Sequence, residues 1–301
     1  MTETLIFSVV IPTFDRPERL RNCIETITKL NYPNNCFEVI IVNDGGTIPL
    51  EDIITHFQSK INITLINNSH GGPGKARNTG AAYAQGKYLA FTDDDCTPGE
   101  NWLKNLADEF NHISDRLIGG KVINALTDNL YSTASQLLID YLYSYYNSNP
   151  QAAKFFTSNN FALPRKYFQE IGGFNTSFPL AAGEDREFCD RVLHQGYPMF
   201  YAQNVEIYHS HYLTFRSFWR QQFNYGRGAF CFRQISIKRN IKATQFERIS
   251  FYFNLLMYPF YQKQFLKNIL LALLFILSQM AITSGWLWEK YTVDSQSIAK
   301  V

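Results

Sequence analysis

The sequence is short of several features that would place it quickly. Its five cysteines, Cys23, Cys36, Cys96, Cys189 and Cys231, are odd in number, widely spaced and contain no C-x-x-C pair. That pattern excludes a disulfide-stapled scaffold and a zinc ribbon, and it fits a reduced compartment facing the cytosol. The opening MTETLIFSVV has an acid where a secretion signal carries basic residues, and Pro12 soon interrupts the apolar run, so no secretory leader is expected. Two nucleotide fingerprints are missing as well. SHGGPGKAR approximates a P-loop, yet Ser69 stands where that motif needs glycine and Ala76 where it needs a hydroxyl. As a dinucleotide fingerprint it also fails, because Arg77 takes the place of the third glycine and the turn does not follow the first strand. What is left is a glycine-rich turn opening a helix. Its N–H groups, with Lys75 and Arg77, suit a phosphate as well as they suit an ordinary helix start.

What is present describes a folded protein with an uneven charge. Of 301 residues, 46% are hydrophobic and 18% charged, enough to bury one large core or two modest ones. The net charge is only +2, but from Tyr212 to Val301 there are 12 Lys/Arg against 3 Asp/Glu. Within this basic tail, NILLALLFILSQMAITSGWLW (Asn268 to Trp288) carries no charge over about the 20 residues a bilayer-spanning helix needs. A buried core helix is the plain alternative. Basic residues upstream, from Arg233 to Arg248, and Trp286 and Trp288 at the far end favour contact with an anionic membrane surface. Nucleic-acid binding ranks last, because the positive charge flanks an apolar segment instead of forming a compact groove.

The first half alternates strand and helix signals. FSVVIPTF, FEVIIVND, INITLINN and KYLAFTD read as buried strands, and DRPERLRNCIETITKL sets Leu20, Cys23, Ile27 and Leu30 on one helical face. With GKARNTGAAYAQ as a further helix, the pattern predicts an α/β fold, a mostly parallel sheet with helices on both faces. Ligands of such sheets bind beyond the carboxyl ends of the strands. Three strand ends are polar: Thr13–Asp15, Asn43–Gly46 and Asp93–Asp95.

The last of these, in FTDDDC, places three carboxylates in a row, and such crowding raises pKa values unless positive charge compensates. A D-x-D after a strand suits a hard divalent cation, Mg²⁺ or Mn²⁺, better than zinc. A solvated acidic turn is the alternative for any lone triplet. In GEDREFCDRVLHQGY, Glu184 and Asp185 fall at a helix N-terminus, where the dipole favours their charge. Phe188, Val192 and Leu193 are expected to face inward. From that stretch alone, helix capping by the two acids is the favoured reading.

Taken in order, VVIPTFDR, VNDGG, ARNTG, FTDDDC, SNNFALPR, GGFNTSF and GEDREFCDRVLHQGY resemble the motifs of family 2 glycosyltransferases of GT-A fold, over roughly Phe7 to Gly228. The resemblance implies an inverting transferase that uses a nucleotide-sugar donor, commonly a UDP-sugar, a divalent metal and a hydroxyl acceptor, lipid-linked or a growing polysaccharide. It implies nucleotide contacts from Pro12, Thr13, Phe14, Asp44, Lys75, Arg77 and Asp93, and metal ligation by Asp95, Asp93 and His209, with His211 the runner-up. Asp185 matches the general base and Glu184 its partner, while Asn160 and Trp219 would meet sugar or acceptor. Cys96 departs from the common D-x-D-D form. A catalytic domain over 1–230, with a nucleotide-sugar half to about 97 and an acceptor half from about 98, would then precede a helical membrane-associating region over 231–301 at a cytoplasmic membrane face. A nucleotidyltransferase, which would release pyrophosphate, and a non-catalytic membrane-associated nucleotide-binding scaffold are the competing readings.

Overall fold

A computed structural model describes residues 5–178, 182–239, 247–261 and 265–298. The chain divides into two compact units. The first comprises residues up to 125 together with 146–176 and 188–210, and the second comprises 126–145, 177–187 and the chain from 211 onward.

The first unit is built on an eight-stranded sheet in the order β3-β2-β1-β4-β7-β6-β8-β5. Its strands are β1 (Phe7–Thr13), β2 (Phe37–Asp44), β3 (Asn62–Asn68), β4 (Tyr88–Phe91), β5 (Cys96–Pro98), β6 (Leu117–Asn124), β7 (Phe161–Pro164) and β8 (Met199–His209). β3, β2, β1 and β4 run parallel, as the alternation of strand and helix predicts. Beyond β4 the sheet becomes mixed: β7 is antiparallel to β4 and β6, β8 is parallel to β6, and β5 is antiparallel to β8.

Successive strand residues point to opposite faces, and both faces are covered. Phe7, Val9 and Ile11 of β1 join a core with Leu20, Cys23 and Ile24 of α1 (Pro17–Ile27) and Trp102, Leu103 and Leu106 of α4 (Trp102–His112). The helix α2 (Glu51–Phe57) contributes Ile53, Ile54 and Phe57 to the same side. Val10, on the other face, meets α3 (Pro73–Tyr83), where a Cβ on Gly80 would stand 2.4 Å from Val10 Cγ1. Only glycine lets α3 approach this closely. A short helix, α6 (Arg165–Ile171), follows β7.

The second unit is helical. It holds α5 (Leu130–Tyr146), α8 (Phe215–Arg239), α9 (Ile249–Met257) and α10 (Phe265–Ile298). Leu137, Leu138 and Tyr141 of α5, Phe218 of α8, Phe251 and Leu255 of α9, and Leu271, Leu274 and Phe275 of α10 form its core. The helix α7 (Glu184–His194) starts in this unit and continues in the first, where Phe188 and Val192 are buried as expected. Leu193 is exposed, and Cys189 takes the inward place. α8 runs without a break across residue 230, where the sequence suggested a boundary. Of the basic stretch from Arg233 to Arg248, positions 240–246 lie outside the described residues.

Candidate active site

In the first unit the polar strand ends assemble at the carboxyl ends of β1, β2 and β4, which the parallel register of these strands aligns. The three crowded carboxylates each have a cationic partner. Arg77 of α3, almost wholly buried, donates from Nη2 to Asp93 Oδ1, while its guanidinium lies 5.6 Å from the centre of the Phe174 ring. Thr13 Oγ1 donates to Asp94 Oδ2 at 2.7 Å, and Arg16 reaches Asp94 Oδ1 at 3.3 Å. Arg19 donates to Asp95 Oδ2 at 3.1 Å, and His209 Nε2, at the end of β8, lies 3.2 Å from Asp95 Oδ1.

Burial, with the charge of Asp95 added to it, raises Asp94 to a pKa of about 6, against the opposing pull of Arg16 and Thr13. Burial disfavours the charged form of His209, but its hydrogen bond to Asp95 and the nearby carboxylates outweigh it, so its pKa rises. Burial and the same carboxylates push the Cys23 and Cys96 thiols well above their usual range. Cys96, at the position where the resembling motif has a carboxylate, is fully buried.

Asp95 and His209 fit a divalent cation. Ligands side by side on an octahedral ion, each at about 2.1 Å, lie about 3 Å apart, close to the 3.2 Å between Asp95 Oδ1 and His209 Nε2. One carboxylate oxygen with one imidazole suits Mn²⁺, and bound metal would replace the shared proton.

Asp44 sits at the end of β2 with its carboxylate fixed. The N–H groups of Gly71 and Gly72 donate to its two oxygens at 3.0 and 2.8 Å, and His70 Nδ1 lies 3.0 Å from Oδ2. The glycine-rich turn thus closes on a carboxylate of its own chain, where the sequence left a phosphate open. Gly72, at φ +84°, has the backbone freedom this turn needs before Pro73 starts α3. Lys75 Nζ donates to Ser69 Oγ at 3.2 Å. Phe14 stands exposed beyond β1 with its ring 4.8 Å from that of His70. Pro12, the last residue but one of β1, is buried in the sheet.

Asn160 is not available to a sugar. It is fully buried, accepts from Trp102 Nε1 at 2.9 Å, and donates to the carbonyls of Lys121 and Val205 at 2.9 and 3.0 Å. A buried indole N–H needs an acceptor, and Asn160 serves that need inside the core.

In the second unit the first turn of α7 carries Glu184, Asp185 and Glu187. Glu184 and Glu187 are buried and Asp185 is half-buried. The turn is held on α8: a Cβ on Gly228 would come within 2.2 Å of the Ala182 carbonyl, and Arg239 Nη2 pairs with Glu187 Oε1. Trp219 lies half-buried on α8, and Gln221 approaches His211 Nε2 at 3.4 Å.

Sequence reasoning missed Arg16, Arg19, His70 and Glu187. Arg16 flanks the start of α1 and Arg19 lies in its first turn, where a polar residue reads as ordinary solvated surface.

A family model described as Glycosyl transferase family 2 matches residues 8–172, more than half of the chain. The chain belongs to glycosyl transferase family 2, and it is a glycosyltransferase. A model described as the N-terminal domain of galactosyltransferase matches residues 141–214. Glycosyltransferase AglE of Haloferax volcanii is 27% identical over 237 residues, 76% of this chain and 74% of that protein. The dolichyl N-acetyl-alpha-D-glucosaminyl phosphate 3-beta-D-2,3-diacetamido-2,3-dideoxy-beta-D-glucuronosyltransferase of Methanococcus voltae is 24% identical over 73% of this chain and 71% of its own. Among solved structures, the mannosyltransferase PcManGT of Pyrobaculum calidifontis, in complex with GDP-Man and Mn²⁺, aligns over 99% of this chain and 81% of its own with a TM-score of 0.62 at 16% identity. TarS 1-349 of S. aureus, in complex with UDP-GlcNAc, aligns over 97% and 92% with a TM-score of 0.55 at 15% identity. The fold is that of GT-A glycosyltransferases.

Proposed function

We propose that the protein is an inverting glycosyltransferase that moves a sugar from a nucleotide-sugar donor, a UDP-sugar, to a hydroxyl acceptor that is lipid-linked or a growing polysaccharide. The observation that carries this reading is the pairing of Asp95 with His209 at 3.2 Å beside the Arg77–Asp93 ion pair, at the strand ends. A relative named for a dolichyl-linked substrate, and a neighbour in complex with UDP-GlcNAc, support the choice of substrates.

Phe14 offers an exposed ring for a base to stack on, with the Asp44 carboxylate beside it as acceptor for a base N–H; Pro12 and Thr13 frame the β1 end. Arg77 and Asp93 meet the ribose and phosphates, and Lys75 adds positive charge at the turn. Asp95 and His209, with Asp93, would hold Mg²⁺ or Mn²⁺, which when bound supplies positive charge at the departing diphosphate. Asp185 takes the proton of the acceptor hydroxyl as its oxygen bonds to the anomeric carbon and the carbon–phosphate oxygen bond breaks. Attack on the face opposite the leaving group inverts the anomeric centre. Glu184 orients Asp185, and Trp219 contributes to the acceptor side. The enzyme works at the cytoplasmic face of a membrane, its C-terminal helix crossing the bilayer or lying on it.

The experiment is a screen of nucleotide sugars for release of the nucleoside diphosphate with Mn²⁺ or Mg²⁺ present. Release from one donor, dependent on metal, supports the reading. Release of pyrophosphate would contradict it.

A further inference from the structure

The exposed apolar surface of the second unit is concentrated. Among the described residues, twenty of the twenty-five large apolar side chains that stand exposed belong to it. On α10, Ile269, Leu273, Ile276, Met280, Leu287 and Tyr291 are separated by three, four or seven residues, which places them in one stripe along the helix. At about 1.5 Å per residue the stripe is about 33 Å long. α9 adds Ile249 and Phe253, the latter 64% exposed.

The other side of α10 is closed by protein. Asn268, Leu271, Phe275, Ser278, Ala281 and Glu289 are buried. α8 and α10 touch backbone to backbone, since a Cβ on Gly226 would stand 1.9 Å from the Ile282 carbonyl and one on Gly285 1.9 Å from that of Phe223. Arg227 Nε pairs with Glu289 Oε2 at 2.6 Å across the same contact. Lys267–Val293 is long and apolar enough to cross a membrane. Spanning, however, would carry α8 into the hydrocarbon, with Arg216, Arg220, Arg227, Arg233, Lys238 and Arg239 on it. Charges at the bilayer centre are strongly disfavoured.

We infer that α10 lies in the plane of a lipid surface with anionic headgroups, its exposed stripe and the apolar side of α9 entering the acyl boundary while α8 stays on the aqueous side. The occupant is lipid and not a second copy of the chain because of the charge of this part of the sequence and the residues at the end of the stripe. From Tyr212 onward the chain has 12 Lys/Arg against 3 Asp/Glu, which complements anionic headgroups. Trp288, 60% exposed, and Tyr291 close its end as interfacial anchors. Lys290 lies with its ammonium 5.8 Å from the centre of the Trp286 ring, and a lysine at such a boundary can keep its charge in the headgroup layer. This inference rests on the membrane association proposed above and adds the orientation.

The test uses the full chain, floated with vesicles of phosphatidylcholine alone or mixed with phosphatidylglycerol, followed by alkaline carbonate extraction of the bound protein. The expected result is binding to the mixed vesicles that weakens with salt and complete release by carbonate. Leu273→Glu combined with Met280→Glu should weaken binding at least tenfold while the thermal midpoint holds, because both side chains are exposed. Phe253→Ser on α9 should weaken it in the same direction, so the surface is tested on two helices. Retention after carbonate would show a spanning helix, overturning the orientation and leaving the association intact. No binding to either vesicle, with a dimer in light scattering that the double variant dissolves, would assign the stripe to a second copy and overturn both.

Discussion

His209 Nε2 stands 3.2 Å from Asp95 Oδ1, joining the end of β8 to the acidic loop that follows β4. The pair is an imidazole nitrogen and a carboxylate oxygen at the separation of neighbouring ligands on one cation. His209→Ala should therefore raise the metal concentration needed for half-maximal turnover about 10–100-fold, the range typical of weakened metal sites, with turnover partly restored at high metal. A metal titration of activity checks this. The same shift in His211→Ala, with His209→Ala unchanged, would move the ligand two residues along the chain.

Thr13 Oγ1 is a neutral donor to the buried Asp94 carboxylate, which Arg16 also approaches. Thr13→Val keeps the shape and leaves Asp94 Oδ2 without this donor, a loss of about 1–3 kcal/mol for a buried acceptor. The urea midpoint should fall accordingly at unchanged slope.

Helix α3 seats on the sheet only because Gly80 has no side chain. In an ordinary helix interior, replacing glycine by alanine gains roughly 0.5–1 kcal/mol. Gly80→Ala should instead lose about 1–3 kcal/mol through overpacking against the stiff Val10. Equilibrium unfolding reads the sign directly.

Asp185→Asn should lower kcat about 10²–10⁴-fold, the usual contribution of a positioned base, while binding of the nucleoside diphosphate with metal stays near wild type. Calorimetric titration beside the transfer assay separates the two. Near-normal transfer would assign proton abstraction to another acid.

These sites differ in how far they could be read before the structure. Local periodicity exposed the strands: the runs FSVVIPTF, FEVIIVND and KYLAFTD contain β1, β2 and β4, and Leu20, Cys23 and Ile27 lie on the buried face of α1. The strand-end position of Asp93–Asp95 followed from the same logic. What periodicity does not encode is a partner far along the chain. Gly71 and Gly72 donate to a carboxylate 27 and 28 residues before them, so the turn that suggested a phosphate is satisfied by Asp44. Arg16 precedes α1 and Arg19 lies in its first turn, a helix start that looks solvated in isolation; only the fold brings them to Asp94 and Asp95. The resemblance set Asn160 against sugar or acceptor, yet the indole of Trp102, 58 residues away, draws it into the core. The antiparallel β7 and β5 were equally invisible, because pairing direction depends on connections and not on composition.

The central claim is that Asp95 builds a metal-dependent site for sugar transfer at the strand ends. It is tested most directly by nucleoside diphosphate release from the donor found in the screen, measured for wild type and Asp95→Asn with Mn²⁺ and again in excess chelator. The account predicts metal-dependent release by the wild type, its loss in chelator, and a drop of at least about 10²-fold in a folded Asp95→Asn protein. Full wild-type activity in excess chelator, or full activity of Asp95→Asn, would contradict it.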